Sequence, residues 1–80
     1  MMIDTVLTVG ADVTYHGSVI EAHGDGRIVA VHANGRVDIR VTDLVYAFRR
    51  RGQRWEEIRS VTVRRVRPQS FKPRVSEVSL

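Results

Sequence analysis

The stretch from Gly24 to Val41, GDGRIVAVHANGRVDIRV, constrains this chain more than any other. Two apolar-rich runs flank Asn34-Gly35, a dipeptide that accepts the positive φ angles of a type I′ turn. Such a turn twists in the same sense as the strands it joins, so the stretch predicts a β-hairpin. A two-residue loop there pairs Ala33 with Arg36, His32 with Val37, Ala30 with Ile39 and Ile28 with Val41. One face then carries Ile28, Ala30, His32, Val37, Ile39 and Val41 and reads as a core face. The other mixes Val29 and Val31 with Asp38 and Arg40, a composition suited to partial cover by another segment.

A hairpin cannot bury its apolar face by itself, so the rest of the chain has to close over it. Eighty residues supply one modest core and leave no room for a second domain. With 42% hydrophobic and 28% charged residues, the composition is that of a folded domain rather than a disordered chain. Fourteen valines favour strands over helices. There is no cysteine, so neither a disulfide nor a thiolate metal site can compensate for the small core.

Around the central hairpin the chain divides into short extended pieces. Thr5 to Val9 is a first strand or a lead-in, and Gly10-Ala11-Asp12 is a turn. Val13 and Tyr15 then alternate with polar neighbours, as a half-buried strand does, until Gly17 ends it. Ser18 to Ala22 reads as extended, and the HGDG run from His23 to Gly26 reads as the loop entering the hairpin.

Leu44 to Arg51 and Arg54 to Ser60 predict a second hairpin around Gly52. A three-residue loop, Gly52 to Arg54, pairs Phe48 with Ile58, Arg50 with Glu56 and Arg49 with Glu57. A two-residue loop at Gly52-Gln53 pairs Phe48 with Glu57 instead. The first register is preferred, because it sets apolar against apolar and opposite charge against opposite charge. It also puts Leu44, Tyr46, Phe48 and Ile58 on the core side.

Val61 and Val63 alternate with polar residues, but Val66 is out of phase, which predicts a 3₁₀ turn or a bulge at Arg64-Arg65. Pro68 cannot donate to a sheet ladder, so the last strand should end at about Arg67. The fold predicted is all-β: a small SH3-like barrel of five or six short antiparallel strands, with an open meander as the alternative. It occupies residues 1–68 as a single domain. Residues 69–80 form a C-terminal extended tail, with Phe71 folded back on the barrel.

Charge is divided unevenly along the chain. Residues 1–40 hold three arginines against five carboxylates, a balance of −2, whereas residues 41–80 hold ten basic side chains against four carboxylates, or +6. Such asymmetry points to an anionic partner, nucleic acid first. Of the thirteen basic residues only Lys72 is lysine. Arginine suits bidentate contacts to phosphates and bases, and codon usage in a GC-rich genome would give the same bias.

The basic set Arg49, Arg50, Arg51, Arg54, Arg59, Arg64, Arg65 and Arg67, with Trp55 among them, is the candidate binding surface. Guanidiniums bind phosphates through a salt-dependent term, and an exposed indole stacks on a base. The competing explanation is a solvated face, with Arg49 and Arg50 paired to Glu56 and Glu57 and Trp55 covering a core edge. A second candidate is the tail, where Phe71, Val75, Val78 and Leu80 would anchor the chain in a groove or sheet edge of a partner, or simply fray.

Other chemistries find little footing. His16, His23 and His32 match no metal-ligand spacing. There is no cysteine nucleophile, no serine elbow and no phosphate-binding glycine loop, and the adjacent carboxylates Glu56 and Glu57 lie on opposite faces of a strand. No enzyme, cofactor or metal is therefore expected. No apolar run approaches the roughly 20 residues of a membrane span and the N-terminus lacks a signal-peptide pattern, so a cytoplasmic location is expected.

Val9 to Val41 also resembles a KOW motif, the small-barrel signature of several ribosomal proteins and of NusG-type elongation factors. The resemblance rests on VGADVTYHG, on Gly24 and Gly26 ahead of IVAV, and on the return strand GRVDIRV. It implies a barrel whose loops contact RNA or neighbouring proteins. The segment HGSVIEAHGDG departs from the pattern, since it carries Glu21 and Asp25 and no Lys or Arg. The chain is similar, too, to small barrel proteins of actinobacteria and their bacteriophages, through VTYHGS at Val13 to Ser18 and VRPQS at Val66 to Ser70.

Two functions are compatible with these features. One is a non-catalytic accessory protein that binds duplex or single-stranded nucleic acid with weak sequence preference. The other is a protein-interaction module, phage structural or host-modulating, that meets an acidic protein surface.

Overall fold

The computed structural model describes residues 7–74. The protein is all-β, with seven strands in antiparallel sheets. They are β1 (Asp12–Tyr15), β2 (Gly24–Val31), β3 (Val37–Leu44), β4 (Phe48–Arg51), β5 (Arg54–Glu57), β6 (Val61–Val66) and β7 (Phe71–Pro73). Five of them form one sheet in the order β6-β3-β2-β1-β7, while β4 and β5 form a separate two-stranded sheet. A 3₁₀ turn at Pro68–Ser70 links the two outer strands of the large sheet.

The core is made where the sequence alternates most cleanly. Val13 and Tyr15 of β1, Ile28 of β2, and Val37, Ile39 and Val41 of β3 are buried. Ala22, Val66 and Phe71 complete the cluster, with Leu7 and Leu44 packed against it. Burying a valine or isoleucine side chain stabilises by about 1.5–3 kcal/mol, so this cluster carries most of the fold. The Tyr15 hydroxyl accepts the Val19 amide at 3.0 Å, which satisfies the one polar atom that its buried ring brings inside.

The central hairpin is present but its turn is not type I′. The Gly35 amide donates to the His32 carbonyl at 3.0 Å and the His32 amide to the Arg36 carbonyl at 2.8 Å, which leaves Ala33, Asn34 and Gly35 as a three-residue loop. Only Gly35, at φ +86°, is left-handed there. Asn34 spends its side chain instead, its Oδ1 accepting the Arg36 amide at 3.0 Å. The register is one residue off the predicted one near the turn, pairing Val31 with Val37 and Ala30 with Asp38, and a bulge at Val29 brings Ile28 opposite Ile39.

This has consequences for the two faces. Ile28, Val37, Ile39 and Val41 are buried as expected, and Ala30 is half-buried. His32 is not in the core: its Nε2 lies 2.9 Å from Asp38 Oδ1. On the other face Val29 and Val31 stay exposed.

Before the hairpin, residues Ile20–Ala22 form a 3₁₀ turn rather than an extended piece, with Ala22 as its buried residue. The strand β2 begins at Gly24, inside the run read as a loop. Glycine is what permits this, since a Cβ on Gly24 would collide with the Asp43 carbonyl and one on Gly26 with that of Arg40.

The strand count exceeds the predicted five or six because the start of the expected tail is a strand. β7 pairs with β1, Tyr15 opposite Phe71 and Val13 opposite Pro73. Phe71 is 6% exposed and belongs to the core, so it is not available as a partner anchor. Val75, Val78 and Leu80 lie outside the described residues, as do Thr5 and Val6, while Leu7 to Val9 are a lead-in and not a strand.

Candidate nucleic-acid interface

The predicted basic set falls into two groups with different surroundings. Arg49, Arg50, Arg51, Arg54 and Trp55 belong to the β4–β5 arm, Arg64 and Arg65 to β6, and Arg67 to the residue just beyond it. Arg59 is exposed in the segment between the arm and β6.

The arm has the register that the sequence reading set aside. Phe48 stands opposite Glu57, Arg49 opposite Glu56, Arg50 opposite Trp55 and Arg51 opposite Arg54, closed by Gly52-Gln53. Gly52 at φ +64° in the first loop position suits a type II′ turn, whose backbone twist fits a two-residue hairpin. Turn geometry thus outweighs the apolar match of Phe48 with Ile58. Neither strand packs broadly on any other element. Tyr46 and Phe48, expected on the core side, are 53% and 60% exposed, and Trp55 is 67% exposed.

Cross-strand partners share a face and neighbours along a strand alternate. Phe48, Arg50, Trp55 and Glu57 therefore occupy one face, and Arg49, Arg51, Arg54 and Glu56 the other. The contacts agree: Arg49 Nε meets Glu56 Oε1 at 3.1 Å and Arg51 Nη1 meets the same oxygen at 3.6 Å. Arg50 Nε donates to the Gly52 carbonyl at 3.0 Å, and Arg54 has no ion pair with a described residue. A depression of about 490 Å³ at the arm's tip is lined by Arg51, Arg54, Trp55 and Glu56.

The second group is built by a bulge. β3 and β6 pair Ile39 with Val63 but Val37 with Val66, so two residues, Arg64 and Arg65, stand where Asp38 supplies one. The sequence's phase slip at Val66 is this bulge. Arg65 takes φ +55°, the one non-glycine residue in the left-handed region among those described. Asp38 holds it there, since the Arg65 amide donates to Asp38 Oδ1 at 2.9 Å, the oxygen that His32 also meets. The Arg65 amide, with His32 assisting, keeps the Asp38 carboxyl below its usual value by bonding the charged form.

Beside the bulge is an open crevice of about 440 Å³ whose lining includes Arg36, Arg64, Arg65, Arg67, Ser18 and Gln69, and no carboxylate. Arg36 was not among the predicted site residues. Its place after the hairpin loop gave no sign in the sequence, because the pairing of β3 with β6 that brings it to Arg64 spans 27 positions at Asp38 and Arg65.

The other candidates are structural. His23 Nε2 lies 2.6 Å from the Gly17 carbonyl and its ring meets Tyr15 edge-on. Among the described residues no group of three His, Cys, Asp or Glu side chains is assembled for a metal, and no helix is long and apolar enough to cross a membrane. Compared with known proteins, the chain matches no family model, no curated protein and no solved structure.

Proposed function

We propose that this protein is a non-catalytic accessory factor that binds nucleic acid, holding phosphates in the arginine crevice beside β6. The observation that carries this reading is the convergence of Arg36, Arg64, Arg65 and Arg67 on one depression lined by no carboxylate. These four guanidiniums outnumber the one carboxylate beside the bulge, Asp38, whose charge acts on Arg64, and a phosphate backbone supplies an anion for them to share at each nucleotide. The strain at Arg65 fits the same role, since outliers of this kind gather where a side chain must be aimed. The KOW resemblance agrees with such a role, with the contact moved from the acidic Glu21–Asp25 region to β6.

Binding of a labelled oligonucleotide at 50 and 300 mM salt tests the reading. Four shared phosphates predict a fall in affinity of about 10²-fold or more over that range. Arg64→Glu with Arg65→Glu should weaken binding similarly. Affinity that ignores salt, or survives both charge reversals, rejects the crevice.

A second reading, a protein-interaction module, is favoured by one observation, the exposed Val45, Tyr46, Phe48 and Trp55. Size-exclusion chromatography with light scattering and an absorbance ratio separates the two. A nucleic-acid-free oligomer supports the second.

A further inference from the structure

We propose that the β4–β5 arm is a stacking platform for unpaired bases, so that the protein takes single-stranded nucleic acid in preference to duplex. This rests on the nucleic-acid reading above and assigns the arm the part of the ligand that the crevice does not hold.

Three observations carry it. First, a two-stranded hairpin with both faces in water is marginal on its own, yet every residue of β4 is exposed and β5 buries little more. The apolar surface that would stabilise it is present, as Phe48 and Trp55 on one face, and nothing in the described chain covers it. Second, the indole is open. Trp55 is 67% exposed and makes no ring contact with another described residue, and its cross-strand neighbour Arg50 donates its Nε to the Gly52 carbonyl. Third, the tip depression is lined by Trp55 together with Arg51, Arg54 and Glu56 from the arm's other face, and of these arginines Arg51 pairs with Glu56 whereas Arg54 has no ion pair with a described residue. A nucleotide needs this combination: a flat apolar surface for its base and a guanidinium within reach of its phosphate. Bases in a duplex are already stacked on each other and offer the indole no face, which is the source of the preference.

The charges argue against lipid as the occupant. Glu57 lies on the aromatic face opposite Phe48, and carrying a carboxylate into a bilayer would cost more than two rings recover.

Trp55 is the only tryptophan in the chain, so its fluorescence reports this site alone. Wild-type protein is titrated with a short oligothymidylate, a duplex of equal length, inorganic polyphosphate and anionic phosphatidylserine vesicles. The expected result is quenching by the single strand and little change with the duplex or polyphosphate, both of which still compete for binding through the crevice. Trp55→Ala should lower single-strand affinity by about 5- to 100-fold and leave duplex and polyphosphate affinity within about twofold. Phe48→Ala should act in the same direction.

Equal affinity of wild type for single strand and duplex, or a Trp55→Ala protein that binds single strand normally, overturns the platform while leaving the crevice reading intact. Failure of every nucleic acid to bind overturns both. A blue shift with vesicles but not with oligonucleotide assigns the arm to membranes instead. A concentration-dependent shift without ligand assigns it to a second copy of the chain.

Discussion

The two hairpins are built from the same parts and do opposite things. In β2–β3, the eight-residue strand β3 places an aliphatic residue at alternate positions of one face, with Val37, Ile39 and Val41 fully buried, and β2 meets it with Gly24, Gly26 and Ile28. In β4–β5, four-residue strands carry arginine at those alternations and the apolar residues are aromatic and exposed. Each is closed by a left-handed glycine, Gly35 or Gly52. The turn therefore decides only that a hairpin forms. Which side chains alternate behind it decides whether the hairpin is buried in the core or left exposed. Aliphatic β-branched residues fit a dry pleated surface, whereas a flat ring beside a guanidinium keeps its value in water for a partner that stacks.

The sharpest way to break this contrast is to truncate one residue from each hairpin. Ile39→Ala should destabilise the protein by about 2–5 kcal/mol, the sum of lost transfer energy and the cavity left behind. Trp55→Ala, with most of its surface already in water, should change stability by less than about 0.5 kcal/mol. Urea unfolding followed by circular dichroism measures both. Comparable losses would mean that the arm is packed as the scaffold is.

Glycines give a smaller, related pair of effects. Gly26→Ala should cost more than about 1 kcal/mol, because its Cβ would meet the Arg40 carbonyl across the ladder. Gly52→Ala meets open space and pays only for φ +64°, about 1–2 kcal/mol. The former should lower the melting temperature of the whole domain, while the latter should act on the arm alone and show as faster amide exchange in β4 and β5 with β2 and β3 unchanged.

How much of this was legible in the sequence follows from the same contrast. Strand class, the core positions Val13, Tyr15, Ile28, Val37, Ile39 and Val41, and the irregularity before Val66 all follow from period-two alternation, which is local. Registers were less legible. Asn34 satisfies a backbone amide with its side chain rather than adopting positive φ, and Gly52 suits a two-residue turn that overrides the apolar match of Phe48 with Ile58. Those are local preferences of similar size, and pattern counting cannot rank them. Phe71 folded back on the barrel was expected and is buried, but its strand pairing with β1 and the place of Arg36 were not legible, because both depend on pairings between distant strands. The exposure of Phe48 and Tyr46 breaks the rule that large apolar residues go inside, and such breaks gather at interfaces.

Arg65 tests whether the scaffold aims the crevice. A β-branched side chain tolerates φ near +55° poorly, so Arg65→Val should cost on the order of 1–3 kcal/mol, while Arg65→Gly should be close to neutral. Both remove one guanidinium. If the bulge is what aims the crevice, Arg65→Gly keeps the remaining arginines in place and retains most oligonucleotide affinity, and Arg65→Val loses more than one charge's worth. Equal losses would mean that Arg64 and Arg67 hold their positions without the bulge.

The smallest effect is the pH dependence of the peg that holds this bulge. Asp38 is lowered from its ordinary value of 3.8, first by the Arg65 amide and then by His32. A carboxylate whose folded pKa lies below its unfolded one stabilises the protein above the unfolded value, and that contribution is lost as pH falls through the folded value. Between neutral pH and about 5 the wild type should hold it in full, and below about 4 it should lose it progressively. Asn at this position keeps an oxygen for the Arg65 amide but has no charge to lose. The stability difference between wild type and Asp38→Asn, measured by urea unfolding from pH 7 to pH 2, should therefore shrink on the acid side, with the other carboxylates cancelling in the subtraction. A difference that stays constant across that range would show that the Arg65 amide is indifferent to the charge on Asp38. The bulge would then be held by β3 and β6 packing alone, and the crevice would owe its shape to the same aliphatic alternation that makes the first hairpin a scaffold.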